Sequence, residues 1–245
     1  MSAVLIAGLW QTPAVAKSPV LIRVGQFIAD ADLSVQLQSQ SHPEATVTLS
    51  SLKYKQISDD RSLPAGRYLV TVRANDRILL QSIYGLAAGD RYTLVLYGIQ
   101  SESTPTNART AIAQLQYIFG GIDTHSVNGY LPQMRLLGDR FRSPSRNPQV
   151  RLLHLAPGVV PLKITLQAGS KPLLSQTLTY ANSTQVTTIP REEVVLSASL
   201  HQQIPNVASL SLTLSPQTVN DIFIVGGLVN SPAVEVVVAN SGGGQ

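Results

Sequence analysis

The chain has 245 residues, carries 18 Lys+Arg against 14 Asp+Glu for a formal charge of +4, and contains no Cys. The missing Cys excludes disulfide frameworks, thiolate zinc sites, iron–sulfur clusters and cysteine nucleophiles. Hydrophobic residues make up 44%, enough for a core and against global disorder; charged residues make up only 13%, where an average soluble domain has about a quarter.

Residues 1–16 read as a signal peptide. An apolar run from Ala3 to Trp10 is followed by Ala14-Val15-Ala16, the small-x-small arrangement of a cleavage site, just before Lys17. The run is shorter than the roughly twenty apolar residues that a membrane-spanning helix needs. No Lys or Arg precedes it, so a buried N-terminal strand is the alternative. Export implies the periplasm or cell surface.

Residues 18–100 are expected to form a first β-sandwich. Val20-Leu-Ile-Arg23-Val opens it as an extended apolar stretch, and Asp30-Ala-Asp32 marks the turn after the first strand. That pair of acids lacks the third acid, the Gly and the closing Glu of an EF-hand. Asp59-Asp60-Arg61 is read as a charged loop. Tyr68, Val70 and Val72 share one face of a period-two strand, and Tyr92, Leu94 and Leu96 repeat the pattern. Pro64-Ala-Gly66 and Ala88-Gly-Asp90 punctuate the strands as turns.

Residues 101–148 are expected to be a linker with a short helix. Residues 101–107 are polar and contain Pro105. Over 109–119, Ile112, Leu115 and Phe119 fall on one helical face, and Gly120-Gly121 stops it. The segment holds five Lys/Arg and three Asp/Glu. Arg135, Arg140, Arg142 and Arg146 surround a single acid, Asp139, and form a candidate anion-binding stripe; the alternative is a solvated linker. Phe141 alone offers no aromatic ladder, so no nucleic acid partner is expected.

Residues 149–240 are expected to form a second sandwich by internal duplication, with 241–245 a flexible tail. Val150-Arg151-Leu-Leu matches the opening around Arg23. Tyr54 precedes Pro64 by ten residues, and Tyr180 precedes Pro190 by ten. Leu86 precedes Gly98 by twelve, and Leu214 precedes Gly226 by twelve. Leu210, Leu212 and Leu214 line one face, opposite Ser209, Ser211 and Thr213. Short strands at this spacing, with Ala156-Pro-Gly158 and Ser215-Pro216 as turns, argue for an all-β sandwich in each half.

No catalytic motif is visible. His42, His125, His154 and His201 share no metal-ligand spacing, and neither a G-x-S-x-G elbow nor a P-loop occurs. His154, flanked by Leu153 and Leu155, reads as an outward-facing or hydrogen-bonded strand histidine. No cofactor and no metal is expected.

The run Leu63-Pro64-Ala65-Gly66-Arg67-Tyr68-Leu69-Val70-Thr71-Val72, with Leu86-Ala-Ala-Gly89 leading to Tyr92-Thr-Leu-Val-Leu-Tyr-Gly98, resembles the domain-of-unknown-function 4397 family. So does Leu131-Pro-Gln-Met leading through Asp139 into Val150 to Gly158. The resemblance covers most of residues 20–239. It implies an exported bacterial envelope protein with tandem immunoglobulin- or transthyretin-like sandwiches and no established activity. Ile189-Pro190-Arg191-Glu192 departs from the Leu-Pro-Ala-Gly turn of the first half. Tyr92-Thr-Leu-Val95 is also similar to the accessory proteins of alginate O-acetylation.

These readings point first to a non-catalytic cell-envelope module recognising a protein or a polysaccharide, with an exposed sheet edge open to strand addition. An accessory subunit of exopolysaccharide O-acetylation is the alternative, and an enzyme on a sandwich scaffold comes third.

Overall fold

Strand alternation is carried through almost every segment where the sequence shows it. The structure, a computed structural model, describes residues 18–29, 31–99, 130–140, 146–190, 193–200, 206–228 and 231–240. Its first unit contains β1 (Val20–Ala29), β2 (Leu33–Ser39), β3 (Thr46–Leu52), β4 (Arg61–Leu63), β5 (Gly66–Ala74), β6 (Arg77–Leu86), β7 (Arg91–Ile99) and β8 (Gln133–Gly138). The second contains β9 (Gln149–His154), β10 (Leu162–Ala168), β11 (Lys171–Leu178), β12 (Thr187–Thr188), β13 (Glu193–Leu200), β14 (Asn206–Thr213), β15 (Val219–Leu228) and β16 (Ser231–Asn240). Among the described residues there is no helix.

Each unit is a pair of four-stranded sheets. In the first the orders are β4-β1-β7-β8 and β3-β2-β5-β6; in the second, β12-β9-β15-β16 and β11-β10-β13-β14. Adding eight to every strand number turns one unit into the other, down to the parallel pairings β1–β7 and β9–β15. The all-β class, with two tandem sandwiches of one topology, is as expected from the repeat.

The cores follow from period two. In β2, Leu33, Val35 and Leu37 are buried while Gln36 and Gln38 are on the other face. In β5, Tyr68, Val70 and Val72 meet them, and the Tyr68 hydroxyl donates to the Pro64 carbonyl at 2.8 Å. In the second unit, Leu162, Ile164 and Leu166 of β10 pack with Val194, Leu196 and Ala198 of β13. Leu210, expected on the same face as Leu212, is exposed where Leu212 is buried, although both lie on the outer strand β14.

Four strands depart from alternation. All six residues of β9 are buried, and β1, β7 and β15 are nearly as enclosed. A strand buried on both faces has a second layer over it. A third hydrophobic cluster supplies that layer: Phe27, Val95, Tyr97 and Leu137 from the first unit with Leu153, Leu155, Tyr180, Phe223 and Val225 from the second. The two sandwiches therefore join face to face through the sheets containing β1 and β9.

The repeated Leu-to-Gly spacing has a steric cause. Gly98 and Gly226 have φ of +124° and +94°, and a Cβ there would sit 2.6 Å from the Leu131 carbonyl oxygen and 2.1 Å from that of Ala233. The chain entering the last strand of each unit crosses at that point, so only glycine fits.

Gln133–Gly138 lies in the segment assigned to the linker, yet it pairs antiparallel with β7 as the edge of the first unit. The sequence reading missed it because half of its side chains face the other unit rather than solvent, which blurs the alternation. The expected signal peptide, the 109–119 helix and the 241–245 tail lie outside the described residues.

Candidate functional site

The strongest concentration of charge is buried, at the centre of the joint between the two sandwiches. Arg23 of β1 stands beside Thr93 of β7 in the parallel register, and Arg151 of β9 stands beside Asp221 of β15 in the matching place. All four side chains, and Asp139 just after β8, are buried.

Arg151 makes the fuller set of contacts. Its Nε and Nη2 donate to the two oxygens of Asp221 at 2.8 and 2.9 Å, a bidentate pairing. Its Nη2 also reaches Asp139 at 2.5 Å, and its Nη1 donates to the Gly138 carbonyl at 3.1 Å. Arg23 donates through Nε to the Thr93 hydroxyl at 2.8 Å and through Nη1 to the Asn240 carbonyl at 2.7 Å. Its Nη2 lies 3.6 Å from Asp139 and 3.5 Å from Asp221. The Thr93 hydroxyl in turn donates to Asp139.

The arrangement has a local twofold logic. Gly138 pairs with Tyr92, and Asn240 pairs with Asn220, the residues preceding Thr93 and Asp221. Each arginine therefore donates its Nη1 to the same backbone position of the opposite unit. The symmetry breaks at the acids, since Asp221 occupies the position that Thr93 holds in the first unit. With every group ionised, two cations face two anions.

Burial shapes the protonation of this cluster. It lowers the Arg23 pKa, an effect opposed by Asp139 and Asp221. Burial, then the neighbouring Asp139, raises the Asp221 carboxyl to about 7 against the pull of Arg151 and Arg23.

Around this centre the joint is apolar and aromatic. Phe27 and Phe223 have ring centroids 4.7 Å apart, and Tyr180 meets Tyr97 at 6.1 Å and Tyr130 at 5.0 Å, both edge-on. The Gly226 N–H donates to the Tyr54 hydroxyl at 3.2 Å, and Lys55 meets Glu235 at 2.6 Å on the rim. His154 is neither outward-facing nor fully hydrogen-bonded. Its Nδ1 accepts from the Ala156 N–H at 3.3 Å, and its buried Nε2 makes no well-formed hydrogen bond, the Val160 and Val159 backbone offering only weaker polar contact to the ring. Burial pulls its pKa down to about 4, so the ring is neutral at pH 7.

The structure does not gather the expected arginine stripe around one partner. Arg135 is exposed on β8 with Nη1 3.4 Å from the Ala181 carbonyl. Arg140 is exposed with Nε 3.6 Å from Asp90, Arg146 is exposed, and Arg142 lies outside the described residues. Asp139, the one acid among them, turns inward to Arg151. The central arginines, Arg23 and Arg151, served the sequence reading only as markers of the repeat. A lone Arg inside each opening apolar stretch was the available signal, because a charge in such a run needs a buried partner. Asp221 and Thr93 carry no such local signal.

Among the described residues no three His, Asp or Glu side chains group as a metal site, and no helix is long and apolar enough to cross a membrane. No family model matches the chain, and no curated protein matches it. Among solved structures it is similar to a Bacteroides fragilis protein provisionally described as a cell adhesion protein, at 8% identity over 94% of this chain and 99% of that one, with a TM-score of 0.25. A Bacteroides ovatus protein described in the same way matches at 9% identity over 91% and 96%, with a TM-score of 0.22. Scores this low transfer no function.

Proposed function

We propose that this chain is an exported, non-catalytic module of the bacterial cell envelope that binds a protein or a glycan. The observation that carries the reading is the charged joint. Buried titratable groups often mark catalysis, but here Arg23, Arg151, Asp139 and Asp221 answer one another across the two units. Such a joint fixes two sandwiches as one body and leaves the outer sheets, with β3 and β11 at their edges, for contact. Export rests on the signal-like residues 1–16 and on the resemblance to an exported family. The arginines at 135, 140, 142 and 146 are the proposed anion-facing part: Arg135, Arg140 and Arg146 are exposed and Asp139 is withdrawn from them, while Arg140 keeps Asp90 at 3.6 Å.

The test is affinity capture from a native envelope fraction with the chain from Lys17 onward, read by crosslinking and mass spectrometry. Recovery of one envelope protein or glycan, crosslinked at defined surface residues, is expected. A hydrolytic or transfer activity of the purified chain that one point substitution abolishes would refute the non-catalytic reading. Replacing Arg135, Arg140, Arg142 and Arg146 together by Gln is expected to weaken binding to an acidic polysaccharide such as alginate, with a shallower salt dependence. Unchanged binding removes the stripe from the proposal.

A further inference from the structure

We propose that the outer edge of β3 is an association surface for a second copy of this chain, the two β3 strands pairing antiparallel about a twofold axis through Thr48. This goes beyond the envelope-binding reading and does not depend on its ligand.

An unpaired edge strand offers a row of N–H and C=O groups to another chain, and proteins blunt such edges by shortness, charge, proline, a bulge or cover. The other edges here show those devices. β4 and β12 have three and two residues. β11 begins Lys171-Pro172. β6 lies against β8, where the Tyr84 hydroxyl donates to the Met134 carbonyl at 3.3 Å, and β14 lies against β16. β3 is free of them over Thr46–Ser50, its one bulge lying beyond that stretch, at Ser51. Its seven residues, TVTLSSL, include no charge and no proline, and among the described residues β2 is its only strand partner.

The side chains of β3 are self-complementary in one register. With the axis through Thr48, its side chain faces that of the second copy. Val47 then faces Leu49 of the second copy on the core side, and Thr46 faces Ser50 on the solvent side. Val47 is half-buried and Leu49 buried in the isolated chain, so the apolar pairing continues the core, while Thr46, Thr48 and Ser50 are exposed and form hydroxyl pairs. The irregularity that shifts the β2–β3 register between Leu33↔Leu52 and Val35↔Leu49 places one extra residue in β3, with Ser51 at φ 57°. Beyond it Leu52 turns to the core and Lys53 to solvent, which brings Lys53 opposite Glu44 of the second copy. Both are exposed, so the ends of the ladder carry opposite charges. A twofold contact of this kind is the commonest form of closed association.

Sedimentation velocity of the full chain from about 1 to 100 µM reads the outcome, in the concentration range of weak specific association. A concentration-dependent dimer is expected. Thr48→Lys sets two ammonium groups face to face and should raise the dimer Kd at least about tenfold with circular dichroism and Tm nearly unchanged, since the side chain is exposed. Glu44→Lys and Lys53→Glu should each weaken the dimer, and the double exchange should restore it, which damage to the fold would not do. A chain that stays monomeric at 100 µM overturns the proposal, even if β3 is then protected by an unrelated bound peptide. A dimer indifferent to Thr48→Lys and to the charge exchange also overturns it.

Discussion

Arg151→Ala should loosen the joint more than any other single truncation on it. The substitution removes the bidentate donation to Asp221, the contact to Asp139 and the bond to the Gly138 carbonyl. It leaves two buried carboxyl groups with Arg23 as the cation beside them, at 3.6 and 3.5 Å, and with the Thr93 hydroxyl donating to Asp139. Removing one partner from a buried ion pair costs about 3–5 kcal/mol, because the remaining charge keeps its desolvation penalty without the compensating attraction. For a chain of this size that corresponds to a Tm lower by roughly 6–20 °C. The companion variant Arg151→Met with Asp221→Leu removes a cation and an anion together and leaves Arg23 paired with Asp139. It should recover most of the loss, as apolar replacement of a whole buried pair is close to neutral. Urea unfolding by far-UV circular dichroism and differential scanning calorimetry read both variants. The wild type should melt in one transition, and Arg151→Ala should separate the melting of the two units. A loss under about 1 kcal/mol, the range of an exposed pair, would refute a dry, charge-locked joint. So would a double variant as unstable as the single one, which would trace the effect to lost packing.

Two buried groups should impose opposite pH dependences. Asp221 is raised to about 7 from an ordinary 3.8, so the native state holds an extra proton between those values; its contribution to stability is full in acid and lost as the pH rises through 7. His154 is lowered to about 4 from 6.5, so its contribution is full above 6.5 and lost as the pH falls toward 4. Stability measured against pH should therefore fall more steeply on acidification in Asp221→Asn than in the wild type. In His154→Gln it should instead decline as the pH rises from 4 to 7, and identical profiles for all three proteins would contradict both assignments. Gly226→Ala should destabilise by well over about 1 kcal/mol, because φ is +94° and the new Cβ would meet the Ala233 carbonyl oxygen at 2.1 Å. A thermal melt unchanged from wild type would show that β15 and β16 do not cross as described.

The amino-acid order by itself determined the all-β class, most of the strands and the duplication. Those properties are local: alternation in Tyr68, Val70 and Val72, turns at Pro64 and Pro157, and a glycine twelve residues past Leu86 and again past Leu214 all act within one strand or its neighbour. Only the tertiary structure decided that β8 completes the first sandwich and that the two sandwiches share a buried face. The residues that make the face come from β1, β7, β8, β9, β15 and β16 and from the connections that hold Leu155 and Tyr180, and no spacing along the chain links Arg23 to Asn240 or Arg151 to Asp139. Asp139 shows why. Arg140 follows it and Arg135 and Arg142 stand nearby, so in sequence it is one acid among arginines, while in the fold it is the buried partner of an arginine from the other unit. A charge is assigned to solvent or to the interior by the surface that closes over it, and here that surface belongs to the second copy of the repeat.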